Sequence, residues 1–100
     1  MALDEDLMKV AMIRAMEIGY GNKLSHMRPN GDFCFSVADE LGFGDFWGEN
    51  LAWGQGSGKQ ATTWWRNSPG HYMNMVGDYT KLGVGVLKFN GRYLWVQVFA

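Results

Sequence analysis

Apolar residues between Leu3 and Ile18 recur every three or four positions, which is the spacing of a helix that buries one face. Asp4 is a suitable N-cap, because its carboxylate can accept a hydrogen bond from a free backbone N–H of the first turn. Either Gly19 or Gly21 can end the helix. The pattern therefore predicts an amphipathic helix whose methionine stripe fills the core or lines a ligand pocket.

The apolar period changes to two near the C-terminal end. Apolar residues alternate over 82–87 and return over 93–99. Asn90 and Gly91, between these segments, are the residues that a type I′ turn favours, so the segments are predicted to form a hairpin. Gly83 and Gly85 leave one face of the first strand bare, which allows a helix or a ring to pack against it.

The middle of the chain is predicted to hold short helices. Residues 33–41 fit a short helix, although 33–37 alone also fit a strand, and the apolar pattern does not separate the two. Residues 59–67 fit a helix with Ala61, Trp64 and Trp65 toward the core.

A further short helix is predicted to begin at Ser68 and Pro69 and to run to about Val76. Proline suits the first helical position, where no N–H is needed, and the Ser68 hydroxyl can accept from a backbone N–H.

Length and charge exclude several classes of function. One hundred residues without a linker or repeat indicate a single domain, 1–100, and the net charge of −1 with scattered Lys and Arg argues against nucleic-acid binding. The apolar runs are too short for a transmembrane segment, and the acidic start is not a signal peptide. Cys34 is the only cysteine and lies between two phenylalanines, which indicates a buried and unreactive thiol.

Two histidines and one glutamate lie in or beside predicted turns. His26 precedes the tight turn at residues 28–31, and Glu49 lies in a glycine-rich segment, 42–58. His71 falls in the first turn of the short helix, where the helix dipole favours the neutral imidazole that can ligate a metal or accept a proton. Each residue also has an ordinary structural interpretation, as a group that hydrogen-bonds the backbone of its loop.

These segments, taken together and in order, resemble the CAP superfamily (the SCP, cysteine-rich secretory, antigen and pathogenesis-related proteins) in its short bacterial form. The matching motifs span almost the whole chain: Ala11-x-x-Arg14-Ala15-x-Glu17, Ser25-His26-x-Arg28-Pro29-Asn30-Gly31, Gly48-Glu49-Asn50-Leu51-Ala52, Trp64-x-x-Asn67-Ser68-Pro69-Gly70-His71, Leu82-Gly83-Val84-Gly85-Val86 and Trp95-Val96-Gln97-Val98-Phe99.

The resemblance implies an α+β fold, an α-β-α sandwich with a small antiparallel sheet between helical layers, and an extracellular location. It also implies a cleft in which His26, Glu49 and His71 take the places of two histidines and one acid. The family's second acid has no counterpart in Trp64-Trp65-Arg66-Asn67. The cleft is expected to be lined by Trp47, Asn50, Trp53, Trp64 and Ser68.

The family domain usually begins with a further helix, which has no match before Leu3, so the resemblance implies either an N-terminal truncation relative to the family or a layer supplied by a partner chain. Its absence would leave an apolar surface, so the resemblance favours self-association as a homodimer through that surface.

Three functions remain open at the level of the sequence. The first is a secreted binding module in which His26 and His71 hold zinc or another divalent metal, with Glu49 as a third ligand or as the group that orients one imidazole, beside a small-molecule, lipid or protein ligand. The second is a metal-assisted hydrolase with Glu49 as general base, which is the weaker hypothesis because no nucleophile set is recognisable. The third is a structural polar cluster in an interaction domain.

Overall fold

The computed structural model describes residues 1–100 and contains four helices and four strands. Their order is β1 (Ala2–Leu3), α1 (Glu5–Gly21), α2 (Ser36–Leu41), β2 (Gly48–Trp53), α3 (Gly58–Arg66), α4 (Pro69–Met75), β3 (Lys81–Phe89) and β4 (Arg92–Phe99). The strands form one sheet in the order β1-β3-β4-β2. Only the short β1–β3 pairing is parallel.

Helices lie on both faces of this sheet, so the predicted α-β-α sandwich is confirmed. One face of the sheet is covered by α1. It carries Gly83 of β3, Val98 of β4 and Glu49 of β2, which are paired neighbours across the three strands. The alternate residues face the other way, where Ala52 packs with Ala61 and Trp65 of α3. The larger core lies between α1 and the sheet, and α2 completes it.

The predicted hairpin is also confirmed. β3 and β4 pair from Leu82↔Phe99 to Phe89↔Arg92. The turn has positive φ at both central residues, 50° at Asn90 and 77° at Gly91, as a type I′ turn requires.

The first helix lies directly on the backbone of β3. A Cβ placed on Gly83 would come within 2.2 Å of the Leu7 backbone, and one on Gly85 within 2.6 Å of the Ala11 backbone. The bare strand face predicted from the two glycines is therefore the surface that receives α1.

The ends of α1 differ slightly from the sequence pattern. The Asp4 side chain accepts from Leu7 N at 3.0 Å, so the predicted N-cap is confirmed. The helix starts at Glu5 because Ala2 and Leu3 pair with β3, and it ends at Gly21, followed by Asn22 in a left-handed conformation.

Residues 33–41 form a helix rather than a strand, but only from Ser36 onward. Phe33 is held by an isolated antiparallel bridge to Met27. This bridge folds the segment after His26 back on itself, which places the following residues next to the histidine.

Two local predictions were wrong. Gly48–Ala52 lies in β2 and not in a turn, because its backbone pairs with β4 over its whole length. Trp64 is 45 % exposed, whereas Trp65 is 3 % exposed, because only one of the two neighbouring rings can face the sheet.

None of the helices combines the length and apolar character needed to cross a bilayer.

Candidate functional site

A buried ion pair joins α1 to β2 at the centre of the candidate site. Arg14 Nε donates to Glu49 Oε2 at 2.7 Å, and Arg14 Nη2 donates to Oε1 at 3.2 Å. The two side chains are 0 % and 1 % exposed. Burial by itself would lower the pKa of Arg14, but the hydrogen bonds and charge of Glu49 raise it above the ordinary value, so Arg14 stays charged.

His26 extends this pair toward solvent. Its Nδ1 lies 2.8 Å from Glu49 Oε1, and its side chain is 48 % exposed. Because the carboxylate accepts, Nδ1 carries the proton in the neutral ring, and Nε2 is left as the nitrogen with a free lone pair. Arg14, Glu49 and His26 thus form one hydrogen-bonded chain from the core to the surface.

The loop that carries His26 is fastened by Arg28. Its guanidinium donates to Glu17 at 2.9 and 3.2 Å and to Glu40 at 2.8 and 2.9 Å. It also donates to the Ser36 hydroxyl at 2.7 Å. The hydrogen bonds that Arg28 donates to Glu40, and next those to Glu17, raise the pKa of Arg28 far above its usual range. The loop is therefore held to α1 and α2 by charge-assisted bonds.

His71 is positioned from α4. Its Nδ1 lies 2.8 Å from Ser68 Oγ, and its ring lies 5.0 Å from the ring of Trp64. The predicted backbone cap by Ser68 is wrong, because the hydroxyl bonds the imidazole instead. Burial lowers the pKa of His71, and the nearby charge of His26 lowers it further, which agrees with the neutral form expected from the sequence.

Two asparagines connect α4 to β2. Asn50 Nδ2 donates to the His71 carbonyl at 3.1 Å. Asn74 Nδ2 donates to Asn50 Oδ1 at 2.9 Å and to the Glu49 carbonyl at 3.3 Å. These amide bonds set the helix that carries His71 against the strand that carries Glu49.

A cavity of about 190 Å³ opens beside His26 and Glu49. Of the predicted cleft residues, Trp47 lines it, and Asn74 lines it without having been predicted. Trp64 and Ser68 contact His71, and Asn50 is fully buried. The Trp53 ring lies under the guanidinium of Arg92, 4.7 Å away, at the other end of β2.

Cys34 belongs to the wall of this cavity. Its sulfur and the donor atoms of His26 and Glu49 lie within 4.8 Å of one another, a group that does not include His71. The pKa of Cys34 is raised to about 12, mainly because the thiol is buried and next because of the negative charge of Glu49. The thiol is therefore protonated at neutral pH, as the sequence predicted for a buried cysteine.

The atoms left to hold a metal at this site are imidazole nitrogens. Both oxygens of Glu49 are engaged by Arg14 and His26, so the carboxylate acts best as the group that orients His26. The free ring nitrogens of His26 and His71 are the donors that zinc prefers.

Arg14 and Asn74 had no assigned role at the level of the sequence. A signal for Arg14 was present, since it lies among apolar residues on the buried face of α1 and a charge there needs a partner. No local pattern distinguishes Asn74.

Comparison with known proteins agrees with this fold. The chain is similar in structure to an extracellular SCP-domain protein of Bacillus anthracis str. Ames, with a TM-score of 0.88 and 29 % identity over 99 % of this chain and 33 % of that one. It is similar in fold to an outer surface protein of Borrelia burgdorferi, with a TM-score of 0.80 and 22 % identity over 99 % of this chain and 75 % of that one. The chain thus spans about a third of the Bacillus anthracis protein chain. No curated protein sequence matches it.

The family profile described as the cysteine-rich secretory protein family matches residues 1–99. The match includes the segments that carry His26, Glu49 and His71. The chain therefore belongs to the CAP family.

Proposed function

We propose that this chain is an extracellular binding module that holds a divalent metal ion, with zinc as the best candidate, between the imidazoles of His26 and His71. The observation that carries the proposal is the hydrogen-bonded chain Arg14–Glu49–His26, which runs from the buried ion pair to the half-exposed imidazole. A carboxylate that accepts from one ring nitrogen of a histidine orients the other nitrogen for a metal and makes it a better donor. Ser68 provides the corresponding partner for His71.

The extracellular location is supported by the relatives. The Bacillus anthracis protein is extracellular and the Borrelia burgdorferi protein is an outer surface protein. Because both share this fold, we propose that the present chain works outside the cell as well.

The surroundings of the two histidines favour an apolar second ligand. Trp47 is 64 % exposed, Phe33 48 % and Trp64 45 %, and all three lie against the cavity or against His71. Exposed aromatic rings beside polar groups are typical of small-molecule sites. A lipid or another small apolar molecule with one polar group is therefore the proposed ligand class.

Zinc titration by calorimetry into chelator-stripped protein tests the metal site. We expect about one ion per chain, with binding lost in His26→Ala and in His71→Ala. Ser68→Ala is expected to weaken binding by roughly 10–100-fold, because it removes the partner that orients His71. Tyr72→Ala, next to His71 on α4, is the matched control and should bind as the wild type does. Unchanged binding in both histidine variants would contradict the proposal.

The same network supports a second function, in which it only stabilises the fold and binds no metal. The guanidinium of Arg14, the carboxylate of Glu49 and the imidazole of His26 satisfy one another without any ion. A melting temperature that does not respond to zinc or to chelator, together with no heat of binding, would favour this function. The hydrolase hypothesis has less support, because both oxygens of Glu49 are already hydrogen-bonded and are not free to accept a proton from water.

A further inference from the structure

A groove of about 670 Å³ runs along the exposed face of α3. Five of its seven lining residues carry uncharged side chains that form hydrogen bonds: Gln55, Ser57, Gln60, Thr63 and Asn67. The other two are Lys59 and Trp64. The volume lies within the range of about 300–1,000 Å³ that small-molecule sites occupy. The lining includes none of His26, Glu49 and His71, so the groove is a different surface from the proposed metal site.

The loop before α3 forms one wall of the groove, and hydrogen bonds fix its shape. The Gln55 carbonyl accepts from Trp95 Nε1 at 2.7 Å. Gly56 N donates to Gln60 Oε1 at 2.8 Å, and Ser57 Oγ accepts from Gln60 N at 3.2 Å. Because the loop occupies its oxygen, the Gln60 carboxamide is held in place, and its Nε2 is left to donate to a ligand.

Gln55 carries an unpaired acceptor beside the groove. Its side-chain Oε1 is sheltered from solvent and has no hydrogen-bond partner within the chain. An acceptor of this kind costs free energy until a donor reaches it. A rotation of the carboxamide toward a hydroxyl group in the groove removes that cost.

Trp64 supplies the only aromatic ring of the groove. The ring is 45 % exposed because its neighbour Trp65 takes the position that faces the sheet. Gln60, Trp64 and Asn67 follow one another at helical spacing, so they lie along one face of α3. An exposed indole therefore lies between two carboxamides along the groove.

The chemistry of the lining distinguishes between classes of ligand. Lys59 is the only charged residue, which is too little positive charge for a nucleic acid. Trp64 is the only apolar residue, so a lipid chain or the apolar anchors of a peptide find no pocket here. Neutral amides and hydroxyls both donate and accept, which matches a ligand rich in hydroxyl groups.

We propose that this groove binds a neutral, β-linked oligosaccharide of glucose-like configuration. The substituents of such a sugar ring are equatorial, so its hydroxyl groups point outward, toward the side chains of Gln55, Gln60 and Asn67. Its axial C–H groups form a flat apolar face that stacks on the Trp64 indole. The inference does not rest on the proposed metal site.

An NMR titration that follows backbone and side-chain N–H signals of the full 100-residue chain is the test. The probes are cellotriose and triacetylchitotriose, with a chelator present throughout. We expect saturable shifts in the millimolar range at the Trp64 indole and at the Gln60 and Asn67 carboxamides. Trp64→Ala should abolish binding, whereas Trp64→Phe, which keeps an aromatic face, should retain it. Gln55→Ala and Asn67→Ala should each weaken binding about 3–10-fold, the usual effect of losing one neutral hydrogen bond.

Arg66→Ala is the matched control, because Arg66 is exposed on α3 next to Asn67 but does not line the groove. It should bind the probes as the wild type does. Circular dichroism establishes that each variant is folded. The inference would be overturned by an absence of saturable shifts with both probes, by unchanged binding in Trp64→Ala, or by an equal loss in Arg66→Ala.

An acidic sugar, trigalacturonate, provides the remaining comparison. Binding of trigalacturonate alone, lost in Lys59→Ala, would also overturn the inference and would assign the groove to an anionic ligand. Because the chelator removes metal ions, none of these outcomes depends on zinc binding.

Discussion

Substitution of Gly83 by alanine tests how closely α1 and β3 are packed. The added Cβ would lie 2.2 Å from the backbone carbon and oxygen of Leu7, whereas ordinary contact begins at 3.4 Å. Backbone atoms of a packed helix cannot rotate away as the end of a side chain can. The first turns of α1 would therefore have to move away from the sheet by more than one ångström.

The expected cost follows from the size of this overlap. Overpacking of a core by a methyl group typically costs about 1–3 kcal/mol, and more where the neighbour cannot yield. Because the contact is with backbone, we expect at least about 3 kcal/mol at Gly83. For a domain of this size, each kcal/mol lowers the melting temperature by about 4–8 °C, so the loss should be roughly 12–24 °C.

Thermal and urea unfolding followed by circular dichroism provide the measurement. Gly85→Ala, with its closest approach at 2.6 Å, should be destabilised less than Gly83→Ala. Gly44→Ala is the control, because nothing lies within 4 Å of its Cβ and its φ is not positive. Equal stability of Gly83→Ala and Gly44→Ala would refute the argument and show that α1 can shift away from the strand at little cost.

Three further predictions concern the buried groups around the site. Arg14→Met should lower the free energy of unfolding in urea by about 3–5 kcal/mol, because it leaves the Glu49 carboxylate buried without its cation. Cys34, with its pKa raised to about 12 by burial and by the charge of Glu49, should react with iodoacetamide at mildly alkaline pH only after denaturation. In an NMR titration, His71 should titrate below the ordinary pKa of 6.5, and its pKa should rise in His26→Ala because a neighbouring positive charge is removed.

Each of these outcomes has a result that would contradict it. An Arg14→Met protein as stable as the wild type would mean that water or another cation replaces the guanidinium. Rapid alkylation of the native protein would show that Cys34 is accessible and ionised. A His71 pKa that does not change in His26→Ala would show that the two imidazoles are not electrostatically coupled.

Local patterns in the sequence determined the elements that depend on near neighbours. The cap at Asp4, the helix that follows it, the turn at Asn90 and Gly91, and the bare face of β3 all follow from residues a few positions apart. Capping, turn geometry and apolar periodicity act over one or two turns of backbone, so they can be predicted before the fold is known.

Only the tertiary structure decided which distant residues meet. Arg14 and Glu49 are 35 positions apart and pair because Glu49 lies on the same face of the sheet as α1, within reach of the Arg14 side chain. Cys34 reaches His26 because a bridge between Met27 and Phe33 folds the loop back. The Ser68 hydroxyl bonds His71 and not the backbone. Such contacts depend on how elements pack across the sheet, and neither propensity nor periodicity carries that information.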